Sequence, residues 1–194
     1  MIRLGILGSG SGSNMQAILD AITAGTLEAE IALVLSDISD SYILERAAKA
    51  GLRTGLIDCR GLTSKFPEEA QQETAKALLQ SGVELVCLAG FMRLLRAPLL
   101  DAFGGRIINI HPSLLPRYPG LNAWAQALEA GAQESGCTVH YVDAGMDTGQ
   151  VVAQAAVPVL TDDTAESLHA RIQVEEHRIY PEAIAKVAAG LRRD

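Results

Sequence analysis

The chain has 194 residues, 48% of them apolar, which is enough for one well-buried core and too short for two ordinary domains, so a single domain over 1–194 is expected. A net charge of −7 excludes the global positive field that gathers nucleic acid or an anionic membrane, so any anionic ligand must be held locally. Cys59, Cys87 and Cys137 are odd in number and widely spaced, which fits thiols in a reducing cytoplasm, and no apolar run approaches the roughly 18 residues of a membrane helix.

Met1-Ile2-Arg3 leads straight into an apolar strand over 2–7 without the long apolar region of a signal peptide, so a cytoplasmic protein is the expectation. Gly8-Ser9-Gly10-Ser11-Gly12-Ser13-Asn14 follows, then a helical pattern over 15–24. Strand, glycine-rich turn and helix together aim backbone N–H groups at a phosphate. A P-loop needs Gly-Lys-Ser/Thr, and the first lysine is Lys49, which argues against nucleoside triphosphate hydrolysis. A dinucleotide fingerprint fits Gly8-x-Gly10 but meets Ser13 where the third glycine belongs; Asp37, ending the next strand, keeps it open. The third version is a monophosphate gripped by backbone amides and the Ser13 and Asn14 side chains, which suits a phosphoribosyl ligand. Beside all three stands a plain tight turn, for which glycine and serine are ordinary residues.

Strands are expected next at 31–35, 54–57 and 83–89, and helices at 42–50 and 68–80, the second with Pro67 at its first position. A polar loop occupies 59–66. The 83–89 run is almost continuously apolar, as in a central strand covered on both faces. This alternation predicts a mostly parallel α/β sheet with ligands outside the carboxyl ends of its strands. The apolar stretch 91–95 lies at such an end, where packing under a loop is the ordinary explanation.

Ile107-Ile108-Asn109-Ile110-His111 reads as a buried strand that Pro112 stops. Residues two apart on a strand share a face, so the Asn109 amide and the His111 imidazole point into one space, one offering N–H donors and the other a titratable proton. Pro112, Pro116 and Pro119 stiffen the loop beyond. Taken alone, an Asn-x-His at a strand end is more often a hydrogen-bonded structural pair. A short helix follows at 123–130, then strands at 138–142 and 151–157 whose brief connection favours antiparallel pairing. Within that connection Asp143 and Asp147 read as ordinary turn acids. A long amphipathic helix starts at Thr164, with Asp162, Asp163 and Thr164 as capping candidates, and Pro181 is expected to bend or break it. The four histidines and three cysteines show no ligand spacing, so no metal is implied.

Three segments, 8–14, 109–120 and Met146-Asp147-Thr148-Gly149, resemble the signatures of the folate-dependent formyltransferases, and the resemblance covers essentially the whole chain. It implies that family's Rossmann-like fold: a three-layer α/β arrangement in which a mostly parallel twisted sheet of about seven strands carries helices on both faces. The implied reaction moves the formyl group of the co-substrate 10-formyltetrahydrofolate to the amine of 5-phosphoribosylglycinamide, with Asn109, His111 and Asp147 catalytic. Gly12, Ser13, Asn14, Gln173 and Glu176 would hold the ribonucleotide. The folate would lie against Met92, Arg93, Leu94 and Leu95, against Asp143, Ala144, Gly145, Met146 and Asp147, and beside Asn109, with Lys65 as the basic residue of the earlier loop. Partners would be small molecules, with neither nucleic acid nor membrane, and the enzyme a monomer or homodimer.

Formyl transfer to an amine passes through a tetrahedral carbon bearing an oxyanion and moves protons between two nitrogens. Asn109 and His111 would donate to that oxyanion, and Asp147 beside His111 would favour the charged ring, which supplies the proton for the leaving folate nitrogen. Gln150, where proline is common in the family, and the variable stretch 122–124 are the departures. Methionyl-tRNA formyltransferases carry an additional C-terminal domain and a basic surface, and formyltetrahydrofolate hydrolases an additional N-terminal domain; an acidic chain of this length is expected to match neither. A non-catalytic or dehydrogenase-like nucleotide-binding module is the alternative from another class.

Overall fold

The computed structural model describes residues 1–62 and 65–192; positions 63 and 64 of the polar loop expected over 59–66 lie outside the described residues. The chain divides into two compact units, Met1–Ile108 and Asn109–Asp194. Along it run β1 (Ile2–Leu7), α1 (Ser13–Thr23), β2 (Ala29–Ser36), α2 (Tyr42–Lys49), β3 (Thr54–Leu56), α3 (Glu68–Gln80), β4 (Leu85–Leu88), α4 (Ala97–Ala102), β5 (Ile107–His111), α5 (Ala123–Glu129), β6 (Glu134–Tyr141), β7 (Val151–Pro158) and α6 (Ala165–Leu191). The strand order in the seven-stranded sheet is β3-β2-β1-β4-β5-β6-β7.

In the first unit β1 pairs in parallel with β2 and β4, and β3 pairs in parallel with β2. Leu4, Ile6 and Leu7 of β1 and Leu85, Val86 and Cys87 of β4 are fully buried, which is why these strands read as unbroken apolar runs rather than alternating ones. Gly5 leaves room for α3: a Cβ there would lie 2.5 Å from a Leu78 methyl. Pro67 caps α3 from the position before its first residue instead of starting it, and Glu68 and Glu69 occupy the positive end of the helix dipole. The short α4, with Pro98 in its first turn, was not expected from the sequence, since six residues are too few to show a helical period.

In the second unit β6 and β7 form the expected antiparallel pair. Helix α6 turns Leu168, Ile172, Ile179, Tyr180, Ala183, Ile184 and Val187 inward along one face. Its start is Thr164, whose hydroxyl accepts the Ser167 N–H while the Ser167 hydroxyl accepts the Thr164 N–H, a reciprocal cap. The expectation that Pro181 ends or bends this helix is corrected in one respect: the helix continues unbroken through it. All three cysteines are buried thiols. Burial, with the carboxylates of Glu176 and Glu175 nearby, pushes the Cys137 thiol up to about 12, so it does not ionise near neutrality. Among the described residues no helix is long and apolar enough to cross a membrane.

Asp163 fastens the entry to α6. Its two oxygens take both terminal nitrogens of Arg171 at 2.7 and 2.8 Å, one also accepts the Leu160 N–H, and Arg171 reaches the Pro158 carbonyl as well. These donors hold the Asp163 carboxyl well below the usual carboxylate range, the Arg171 hydrogen bonds first, then Ser167 and Leu160. A depressed carboxyl stabilises the fold above its unfolded-chain value of about 3.9, and that contribution is lost as pH falls toward the folded value. Asp163→Asn should therefore lower Tm by several degrees at pH 7, with a gap to wild type that narrows below pH of about 4; calorimetry at both pH values checks this.

Candidate active site

Strand β5 ends at His111 because Pro112 has no N–H to continue a ladder. The loop that follows is clasped onto β6 and β7. Thr138 Oγ donates to the Ser113 carbonyl at 2.6 Å and accepts the Leu115 N–H at 3.1 Å, while Gln154 Nε2 donates to the Leu115 carbonyl at 2.9 Å. Ser113 Oγ in turn donates to the Arg117 carbonyl at 2.6 Å. Tyr118, in a left-handed conformation with φ 55°, turns its carbonyl oxygen to within 2.9 Å of His111 Nε2.

A carbonyl only accepts, so His111 Nε2 carries a proton. The other ring nitrogen, Nδ1, lies 3.5 Å from Asp147 Oδ2, and that same oxygen accepts the Gly120 N–H at 2.9 Å. The loop thus touches both members of the pair with its backbone. Asn109 completes the group through His140: Asn109 Nδ2 is 3.2 Å from His140 Nε2, which lies 3.7 Å from Asp147 Oδ1. His111, His140 and the Asp147 side chain are 4%, 2% and 15% exposed, so their electrostatic interactions are only partly screened by solvent.

The structure therefore brings Asn109, His111 and Asp147 together and adds His140, which sequence reasoning missed. A signal for it existed: Thr138 and His140 are polar residues on either side of Val139 at alternate positions of a strand, hence on one face. Burial, the largest influence, pushes the His140 ring below its ordinary value, against the Tyr141 carbonyl and Asp147, which raise it. The turn carrying Asp147 is closed by Asp143, which accepts the Gly145 N–H and the Thr148 hydroxyl. Gly149 presses against β6 so closely that a Cβ would fall 1.7 Å from the Tyr141 carbonyl oxygen. Met146 is exposed in this turn. On α6, Gln173 is half-buried and Glu176 buried.

In the first unit the glycine-serine loop packs down on α2. The Ile43 N–H donates to the Gly10 carbonyl, Arg46 Nε donates to the Ser11 carbonyl at 2.9 Å, and Gly12, at φ 73°, leaves no space for a Cβ against Ile43. Gly12 caps α1, so Ser13 and Asn14 open its first turn with their backbone N–H groups at the positive end of the dipole. Asp37 accepts the Ser9 hydroxyl at 2.6 Å and Arg93 Nε at 2.5 Å, and Arg93 also donates to the Leu62 and Lys65 carbonyls. With both oxygens engaged and its side chain 3% exposed, Asp37 is not placed to bind a ribose hydroxyl, and the dinucleotide reading loses its acid.

The expected folate wall at 92–95 divides by burial. Met92 and Leu94 expose their side chains, whereas Arg93 and Leu95 bury theirs, so Arg93 has only its backbone to offer a ligand on the exposed side. Lys65 is exposed, with its carbonyl held by Arg93. Among the described residues no three His, Cys, Asp or Glu side chains gather as a metal site.

A sequence profile described as "Formyl transferase" matches residues 2–184, and the chain belongs to that family. Within it, the chain is 41% identical over 185 residues to the phosphoribosylglycinamide formyltransferase of Escherichia coli strain K12, covering 95% of this chain and 86% of that one. The solved structure of glycinamide ribonucleotide transformylase 1 from Symbiobacterium toebii superposes with a TM-score of 0.94 at 54% identity, covering 98% of this chain and 89% of that one. The trifunctional purine biosynthetic protein adenosine-3 of Drosophila pseudoobscura pseudoobscura is 50% identical over 193 residues, 98% of this chain, which spans only 14% of that protein's length.

Removing one partner of a buried ion pair strands the other charge. Arg93→Ala should cost about 3–5 kcal/mol in urea unfolding, and Arg93→Lys should recover little of it because an ammonium cannot reproduce the guanidinium fork. A loss under about 1 kcal/mol would show that water reaches this cluster.

Proposed function

We propose that this chain transfers the formyl group of 10-formyltetrahydrofolate to the amine of 5-phosphoribosylglycinamide, giving 5-phosphoribosyl-N-formylglycinamide and tetrahydrofolate in purine biosynthesis. The observation that carries the reading is the imidazole of His111, committed through Nε2–H to a carbonyl and facing the Asp147 carboxylate with Nδ1, beside the Asn109 amide. The names of the Escherichia coli and Symbiobacterium toebii relatives support the same substrate.

The substrate amine attacks the formyl carbon and the carbonyl oxygen becomes an oxyanion. An N–H of Asn109 and the His111 ring stabilise that charge. A ring carrying both protons keeps Nε2–H on the Tyr118 carbonyl and releases the Nδ1 proton, which faces Asp147, directly or through water to the folate nitrogen as it leaves, becoming neutral. The attacking nitrogen passes its own proton, directly or through water, to the bared Nδ1 of His111 beside Asp147, which restores the charged ring, and no covalent enzyme intermediate forms.

Gly12, Ser13 and Asn14 offer the phosphate backbone amides at a helix start, without a lysine. Gln173 and Glu176 complete the ribonucleotide contacts in this reading. Met92, Arg93, Leu94, Leu95, Lys65, Asn109 and residues 143–147 are the folate contacts in this reading. The family match runs through both units, which supports one formyltransferase domain over the chain. Buried thiols agree with a cytoplasmic compartment.

The test is the absorbance change on mixing 10-formyltetrahydrofolate with 5-phosphoribosylglycinamide. His111→Ala should lower kcat by about 10²–10⁴-fold. Asp147→Asn should lower kcat by about 100-fold while a folate analogue binds within about threefold of wild type. Undiminished turnover in His111→Ala, or equal losses of turnover and folate affinity in Asp147→Asn, overturns the assignment. Release of formate without formylated product would identify a hydrolase instead.

A further inference from the structure

We infer that His140 is a positioning residue for this reaction, whose unprotonated Nε2 takes one N–H of the Asn109 amide and thereby fixes which end of that amide faces the reacting carbonyl. The inference rests on the formyl-transfer reading of Asn109. A side-chain amide is nearly symmetric in shape, so packing alone does not decide between its two orientations. Their chemical effects are opposite, because an N–H stabilises a developing oxyanion and a carbonyl oxygen repels it. The site therefore needs a group that tells N from O.

His140 meets that need through its own partner. Its Nδ1 lies 2.8 Å from the Tyr141 carbonyl, which can only accept, so Nδ1 bears the proton and the neutral ring presents a lone pair at Nε2. The Asn109 atom 3.2 Å from that lone pair must then be the donor, Nδ2, and its second N–H has no partner among the described residues. The ring is 2% exposed and sits where the β6–β7 register shifts between Val139 and His140, an irregularity of the kind that re-aims a side chain. Burial and the neighbouring His111 favour the neutral ring, while the Tyr141 carbonyl, Asp147 and Asp143 favour the charged one; burial prevails. Protonation of Nε2 would reverse the arrangement. Asn109 would turn its oxygen toward the new donor, Asp147 Oδ1 at 3.7 Å would draw on it too, and the amide would meet the oxyanion with the wrong end.

Nitrogen-15 NMR of the histidine-labelled full chain at neutral pH reads the tautomer without mutation. His140 should be protonated at Nδ1 and bare at Nε2; a proton on Nε2 overturns the proposal, and this measurement decides alone if variants fail to fold. In the formyl-transfer assay His140→Phe should lower kcat by about 100-fold with KM for both substrates within about threefold, and His140→Gln, which restores an acceptor, should recover at least about tenfold of the loss. The double variant His140→Phe/Asn109→Ala should be no more than about threefold slower than Asn109→Ala, since no amide remains to be oriented. Multiplying losses, or an effect confined to KM, overturns the orienting role. An inactive Asn109→Ala beside a fully active His140→Phe overturns that role alone, whereas a fully active Asn109→Ala removes the reading of Asn109 on which it rests.

Discussion

A backbone carbonyl accepts hydrogen bonds and never donates them, and two such oxygens, those of Tyr118 and Tyr141, decide where the protons lie around Asn109, His111, His140 and Asp147. They act on two chemically identical rings and give them opposite roles. In His111 the Tyr118 oxygen takes Nε2–H and leaves Nδ1 facing a carboxylate. In His140 the Tyr141 oxygen takes Nδ1–H and leaves Nε2 facing an amide. One ring turns its remaining nitrogen to an ionisable group, and the other accepts a hydrogen bond from a group that never ionises.

This division depends on carbonyls that stay in place. Each hydrogen bond holding the loop contributes only about 1 kcal/mol net to stability, so their importance is geometric. The Thr138 hydroxyl serves as donor and acceptor at once, Gln154 spans to the Leu115 carbonyl, and Ser113 ties the loop to its own later residues. Across the hairpin, the close approach of Gly149 to the Tyr141 carbonyl holds the far end of β6 and with it the second of the two oxygens.

Much of this was readable from residue order. Strands covered on both faces appear as apolar runs, and β1, β4 and β5 are legible that way; the shared face of Asn109 and His111 follows from the two-residue repeat of β5. Local signals were weaker where two outcomes share one residue type. Proline starts or ends helices in isolation, yet Pro181 sits inside one whose packing keeps it going. Asp37 ends a strand where a ribose-binding acid belongs, but Arg93, 56 residues away, claims it, and no local pattern encodes a pairing at that separation. His140 escaped because a buried histidine looks like core until its neighbours on another strand are known.

Asp147 and His111 are both steadied by main-chain atoms of a loop that contributes no side chain to either contact. The identity of the residue at 118 is therefore largely free to drift among those that tolerate left-handed backbone, whereas Ser113, whose hydroxyl ties the loop, and the buried Leu115 are not. The residue count is not free. One inserted or deleted position ahead of Tyr118 would carry its oxygen and the Gly120 amide out of register together, so this part of the chain keeps its length more strictly than its spelling.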